Sequence, residues 1–263
     1  MQLDLSLSGR HALVGGASAG IGRATALHLA SLGCEVTVLA RRPEALEALL
    51  PELVEAGASV ARKLVADLDD RVALKAQVAE LVQTHGPVHV LVHNTGGPPG
   101  GPIADAELEE FETALGRHLL AGQVLLQAVL PGMIEAGYGR LVNIVSTSVR
   151  EPIPNLGVSN TTRGAIAGWS KTLSRELPSG ITVNNVLPGF TDTERLGALR
   201  AGISARTGKT QDEVLAGWLA QVPEGRLAKP EEVAGVVAFL CTPAASFVRG
   251  VSLAVDGGRM RSI

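Results

Sequence analysis

Aromatic side chains are scarce in this chain: they make up 3% of its 263 residues, and there is a single tyrosine, Tyr138. Any chemistry that needs a phenol must use Tyr138 or do without one. The two cysteines, Cys34 and Cys241, fall in opposite halves and form no Cys-x-x-Cys pair. That spacing suggests neither a disulfide framework nor a metal knuckle, and reads as two reduced core thiols. Basic residues do not cluster, and the net charge is −3. Binding a phosphate backbone takes grouped Lys and Arg, so no nucleic-acid partner is expected. No run of about 18 apolar residues suggests a membrane span. The start MQLDLSLSGR carries an acid and lacks a basic lead into an apolar run, so it does not read as a signal peptide. The expectation is a soluble cytoplasmic protein with no membrane partner.

Apolar residues are plentiful at 46%, so aliphatic side chains must build the core. Short β-rich runs alternate with helical patterns. Strands are expected at 11–16, 35–40, 59–67, 88–94, 139–146, 180–189 and 251–258. Helices are expected at 20–33, 43–57, about 69–85 with Asp69 as cap, roughly 106–136, and 157–177. Alternation with short connections predicts an α/β fold, a doubly wound parallel sheet of about seven strands with helices on both faces. No repeat or linker interrupts it, so residues 1–263 form one domain. The segment 190–226 is the loosest, helix-like pieces broken by glycine. Following a strand's C-terminal end, it is expected to cover the ligand crevice.

LVGGASAGIGRAT (13–25) places Gly15, Gly16, Gly20 and Gly22 between the first strand and first helix. Such a turn lets a pyrophosphate approach the helix N-terminus, where free N–H groups and the helix dipole favour an anion. A merely structural tight turn competes with that reading. The second strand ends VLARRPE, with Arg41 and Arg42 where an acid would otherwise bind ribose hydroxyls. Guanidinium groups suit a 2′-phosphate, so NADP(H) is the expected cofactor. The sequence DLDD at 67–70 lacks the glycine and final glutamate of a calcium loop, and no metal site is expected.

With this turn in place, residues of about 9 to 258 resemble the short-chain dehydrogenase/reductase family, most of all its 3-oxoacyl-acyl-carrier-protein reductase branch. GGASAGIG (15–22) is similar to that family's glycine motif, and the resemblance assigns Gly16, Ser18, Gly20, Ile21 and Gly22 to the cofactor. ADL (66–68) resembles the adenine-contacting motif, with Asp67 and Leu68. HNTG (93–96) keeps Asn94 and Gly96. NNVLPGFTDT (184–193) is similar to the segment beside the nicotinamide, with Pro188, Gly189 and Thr193. Ser146 stands thirteen residues before Ser159, the family's spacing between its catalytic serine and tyrosine.

That comparison exposes the departures. The family's Tyr-x-x-x-Lys reads Ser159-Asn160-Thr161-Thr162-Arg163, and Tyr138 lies before the fifth strand, away from the crevice. A serine is a far poorer acid than a phenol, although Ser159 could bond a carbonyl beside Ser146 or hold a water. Arg163 would stay charged, could bind the nicotinamide ribose, and would favour a developing oxyanion. His118 replaces the family's relay asparagine; it reads either as an acid–base group or as a residue packed between helices. His93 reads as structural. The loop NTGGPPGGP (94–102) is either a shaped substrate wall or a plain connection. The expected activity is hydride transfer with a small carbonyl or acyl-thioester substrate, by a mechanism lacking the usual pair. The alternative is a catalytically silent NADP(H)-binding protein, a sensor or supporting subunit. The resemblance also implies a homotetramer.

Overall fold

The protein is described by a computed structural model covering residues 3–262. Seven parallel strands form one sheet in the order β3-β2-β1-β4-β5-β6-β7: β1 His11–Gly15, β2 Glu35–Ala40, β3 Ala61–Val65, β4 Val90–His93, β5 Gly139–Ile144, β6 Ile181–Pro188 and β7 Ser252–Val255. The central strands are buried on both faces, as a parallel sheet between helix layers requires. Successive residues of β1 show this directly. Ala12 and Val14 join one core cluster, whereas Leu13 joins the other. Side chains in a strand alternate faces, so one short apolar run feeds two cores.

On the first face α1 (Gly20–Ser31) packs against α2 (Pro43–Ala56) and α9 (Pro230–Cys241). On the second, α3 (Arg71–His85) packs against α5 (Ala121–Glu135). Helix α2 begins with Pro43 and ends on Gly57 at φ 115°, the asymmetry its sequence announces. Helix α3 is capped by Asp70, whose carboxylate accepts from the Ala73 N–H at 2.9 Å. The expected cap, Asp69, is instead drawn away by Arg117, whose Nε donates to it at 2.7 Å.

The expected helix 106–136 is three pieces. After α4 (Leu108–Leu115), a π-helical turn spans Gly116–Leu120 before α5 begins. The segment 190–226 contains α7 (Glu194–Thr207) and α8 (Gln211–Leu219), separated by Gly208 at φ 73°. Strand alternation assigns no helix to 230–241, yet Pro230 at its start and Glu231 and Glu232 in its first turn are ordinary start signals. Helix α6 (Gly157–Glu176) runs as expected. Because strand order reverses between β1 and β4, the crevice opens at their C-terminal ends. Among the described residues, no helix is long and apolar enough to cross a membrane.

Candidate active site

The first strand–turn–helix determines where an anion can sit. A Cβ on Gly16 would lie 2.6 Å from the Asn94 carbonyl oxygen, and one on Gly22 would lie 2.2 Å from the Gly16 carbonyl oxygen. Both contacts are with backbone, which cannot step aside, so only glycine permits this close turn. Ala19 precedes α1 and offers no side-chain cap. The first N–H groups of the helix therefore remain available to a ligand.

Above this turn lies a cleft of about 620 Å³. Of the residues assigned from sequence, all but Gly22 and His118 line it. At one end are Arg41, Arg42, Asp67 and Leu68. Arg41 Nη1 stands 3.9 Å from Asp67 Oδ2, and Arg42 Nη2 donates to Ser18 Oγ at 3.2 Å. Both guanidiniums retain donors for a phosphate. The glycine cradle, the uncapped helix and these arginines fit a phosphorylated dinucleotide.

At the other end stand Ser146, Ser159, Arg163, Pro188 and Gly189. Ser146 follows β5, and its Oγ accepts from the Ser148 N–H at 3.1 Å, leaving its own proton for a substrate atom. Ser159 and Arg163 are four residues apart on α6, hence on one face. Arg163 is 7% exposed; its Nη1 donates to the Ile144 carbonyl at 2.7 Å, while its Nε is buried without a partner. Burial, and secondarily the neighbouring Arg195, lower its pKa to about 10, so it remains a cation at neutral pH.

His118 is 2% exposed within the π-helical turn. Its Nδ1 bonds Thr95 Oγ1, and its backbone carbonyl meets His93 Nε2 at 2.8 Å. Burial, followed by the charge of Arg163, lowers its pKa to about 2. The ring is thus neutral and meets the cleft through Thr95, which does line it. Tyr138 lies before β5, its hydroxyl donating to the Cys241 carbonyl at 2.6 Å. It is held between Arg10 and Arg140, each guanidinium 4.1 Å from the ring centre.

Sequence reasoning passed over Thr95 and Arg117 and did not single out Arg195 among the arginines of 195–206; all three line the cleft. Arg195 reaches from α7 across to the loop after β4, where its Nη2 donates to the Pro98 carbonyl at 2.6 Å. The available signal was the position of 190–226 after β6. What it could not supply was which of several arginines turns inward.

Residues 16–259 match the family model described as enoyl-(acyl carrier protein) reductase. A 3-oxoacyl-acyl-carrier-protein reductase of Vibrio cholerae is 35% identical over 257 residues, spanning 97% of this chain and 98% of its own. The gluconate 5-dehydrogenase of Gluconobacter oxydans is 33% identical, spanning 96% and 95%. A variant actinorhodin polyketide ketoreductase solved with NADPH superposes at a TM-score of 0.90 with 36% identity, over 96% of this chain and 98% of that one. The L-sorbose reductase of Gluconobacter frateurii, solved with NADPH and L-sorbose, gives 0.92 with 27% identity, over 99% and 100%. The chain belongs to the short-chain dehydrogenase/reductase family, and to its ketoacyl-reductase-like side.

Proposed function

We propose that the protein is an NADP(H)-dependent oxidoreductase acting on a carbonyl/alcohol pair in the manner of a 3-oxoacyl reductase, without the family's tyrosine and lysine. The observation that carries this is the union, in one cleft, of a glycine cradle and Arg41/Arg42 with the hydroxyls of Ser146 and Ser159. NADPH would supply the hydride when bound along that cleft. Residues Gly16 to Ile21 would hold its pyrophosphate, Arg41 and Arg42 its 2′-phosphate, Asp67 and Leu68 its adenine. Asn94, Gly96, Pro188, Gly189 and Thr193 would frame its nicotinamide end.

Ser146 and Ser159 would donate hydrogen bonds to the substrate oxygen. The fixed charge of Arg163 would favour the oxyanion as it develops, and its guanidinium would reach the nicotinamide ribose. A neutral, buried His118 is no imidazolium donor. The proton would come from a water held by the two serines, with His118 orienting the Thr95 hydroxyl beside it. The test is isotope transfer from NADPH deuterated at the transferred hydrogen, offered with carbonyl compounds including 3-oxoacyl thioesters. Deuterium in a product is the expected result.

A second reading, a catalytically silent NADP(H) binder, is favoured by one observation: the sole tyrosine is buried beneath α9, far from the serines. Under that reading Ser159→Tyr with Arg163→Lys would create turnover absent from the wild type. Comparable turnover of the wild type would refute it. We further propose a homotetramer, supported by exposed Leu108 and Leu120 beside α6 and by Phe247 and Leu253 at the β7 edge; light scattering of the purified chain tests it.

A further inference from the structure

At the nicotinamide end of the cleft, two guanidiniums converge without an acid between them. A Cβ built on Gly97 would lie 3.6 Å from Arg195 Nη2 and 3.7 Å from Arg163 Nη2. Any side chain at 97 would fill the point both arginines face. Neither forms an ion pair among the described residues. Two acids line the cleft: Asp67, which is engaged by Arg41, and Glu194, which pairs with neither arginine. Arg163 is nine-tenths buried with its Nε unpartnered, and Arg195 is anchored by a single bond to the Pro98 carbonyl. Two like charges held together at this cost lack the anion that would balance them.

We infer that the substrate of this cleft carries a carboxylate, bound by Arg195 against the buried charge of Arg163, so that the protein acts on an oxo acid or the matching hydroxy acid. This rests on the hydride-transfer reading above. The anionic oxygen could belong to the cofactor's phosphates instead, but those are drawn to the uncapped start of α1 and to Arg41 and Arg42. It could belong to a pantetheine phosphate, but that group hangs a long arm away from its keto carbon. Arg163 stands one helical turn from Ser159, so the anion it serves lies close to the reacting carbonyl. A carboxylate near the carbonyl meets that condition, and a guanidinium fork matches its two oxygens.

The experiment titrates the full-length protein, loaded with NADP⁺, with acetoacetate, methyl acetoacetate and inorganic phosphate by calorimetry. The acid is expected to bind about tenfold tighter than its ester. Arg195→Met should bring the acid-to-ester ratio close to one, and Arg195→Lys should restore part of it. Arg195 is exposed, so these variants do not disturb the core. Equal binding of acid and ester overturns the inference. So does a tenfold loss of NADPH affinity in Arg195→Met with the ratio unchanged, which would give the guanidinium to the cofactor. Phosphate binding tighter than acetoacetate, with the same dependence on Arg195, overturns the carboxylate assignment. Oxidation of NADPH by each compound is followed in parallel. Arg195-dependent binding of the acid without oxidation by either compound would sink the hydride-transfer reading and leave the carboxylate site standing.

Discussion

Arg41 and Tyr138 show how differently two charged or polar side chains can matter. Arg41 is 64% exposed at its side chain, and its one ion pair among the described residues is a 3.9 Å contact with Asp67, so its removal should leave stability almost unchanged. Its proposed role is toward the ligand. Arg41→Glu should weaken NADPH binding about tenfold or more, while NADH binding changes far less, as fluorescence titration of both cofactors would show. Tyr138 is the reverse case. Burial pushes its phenol up to about 12, so it stays protonated and simply donates to the Cys241 carbonyl. Tyr138→Phe leaves that carbonyl without its donor and should cost about 1–3 kcal/mol in urea unfolding, with NADPH binding intact. The sequence already placed Tyr138 away from the crevice, because residues just before a parallel strand sit at the wrong end of the sheet. It did not decide His118. An acid–base group and a packed residue look alike until burial and the Thr95 bond are seen.

Elements whose conformation is enforced by short-range rules were readable: the glycine turn, the Pro43 start, the Gly57 stop. The glycine turn gives the sharpest prediction. Gly22→Ala places a methyl 2.2 Å from a backbone oxygen and should cost at least about 1–3 kcal/mol, together with most NADPH affinity. Gly164→Ala on α6 is the control. Nothing lies within 4 Å of its Cβ, and the change should stabilise the helix by about 0.5–1 kcal/mol. Calorimetric melting of both variants checks the pair. Long-range choices were not readable. Asp69 reads as a cap until Arg117, 48 residues away, claims it and leaves the role to Asp70. The π-helical turn is equally silent in sequence: an extra residue in one turn leaves the apolar pattern on either side almost unaltered.

At the scale of the whole molecule, buried histidines set the acid limit. Burial lowers His11 and His93 to about 4 and His118 to about 2, whereas the unfolded chain binds protons near 6.5. Below that value the unfolded state holds more protons than the folded one, so stability falls as pH falls. Each group contributes up to about 1.4 kcal/mol per pH unit between about 6.5 and its folded value. The urea midpoint should therefore drop from pH 7.5 to pH 5, and His93→Phe or His118→Gln should flatten that slope. The fold class and the gathering of the glycine turn, Arg41, Arg42 and Asp67 at one end of the cleft were legible because they follow from local alternation and from motifs within the first seventy residues. Arg195 was not, because its direction depends on the closure of α7 over the β4 loop.

The sheet order also imposes a timetable. On the proposed reading, the end of the cleft that would take the adenosine is made by β1, β2 and β3, which are consecutive strands of the chain. The end proposed for the nicotinamide includes Pro188 and Gly189, and a Cβ on Gly189 would lie 2.7 Å from the Cα of Asp256. The Gly189 N–H itself bonds the Val255 carbonyl at 2.9 Å. A chain emerging from the ribosome would thus complete the half proposed to grip the nucleotide long before the half proposed to react. On that reading chemistry waits for the last strand to dock, and a chain stalled short of β7 would have a grip without a finished active centre.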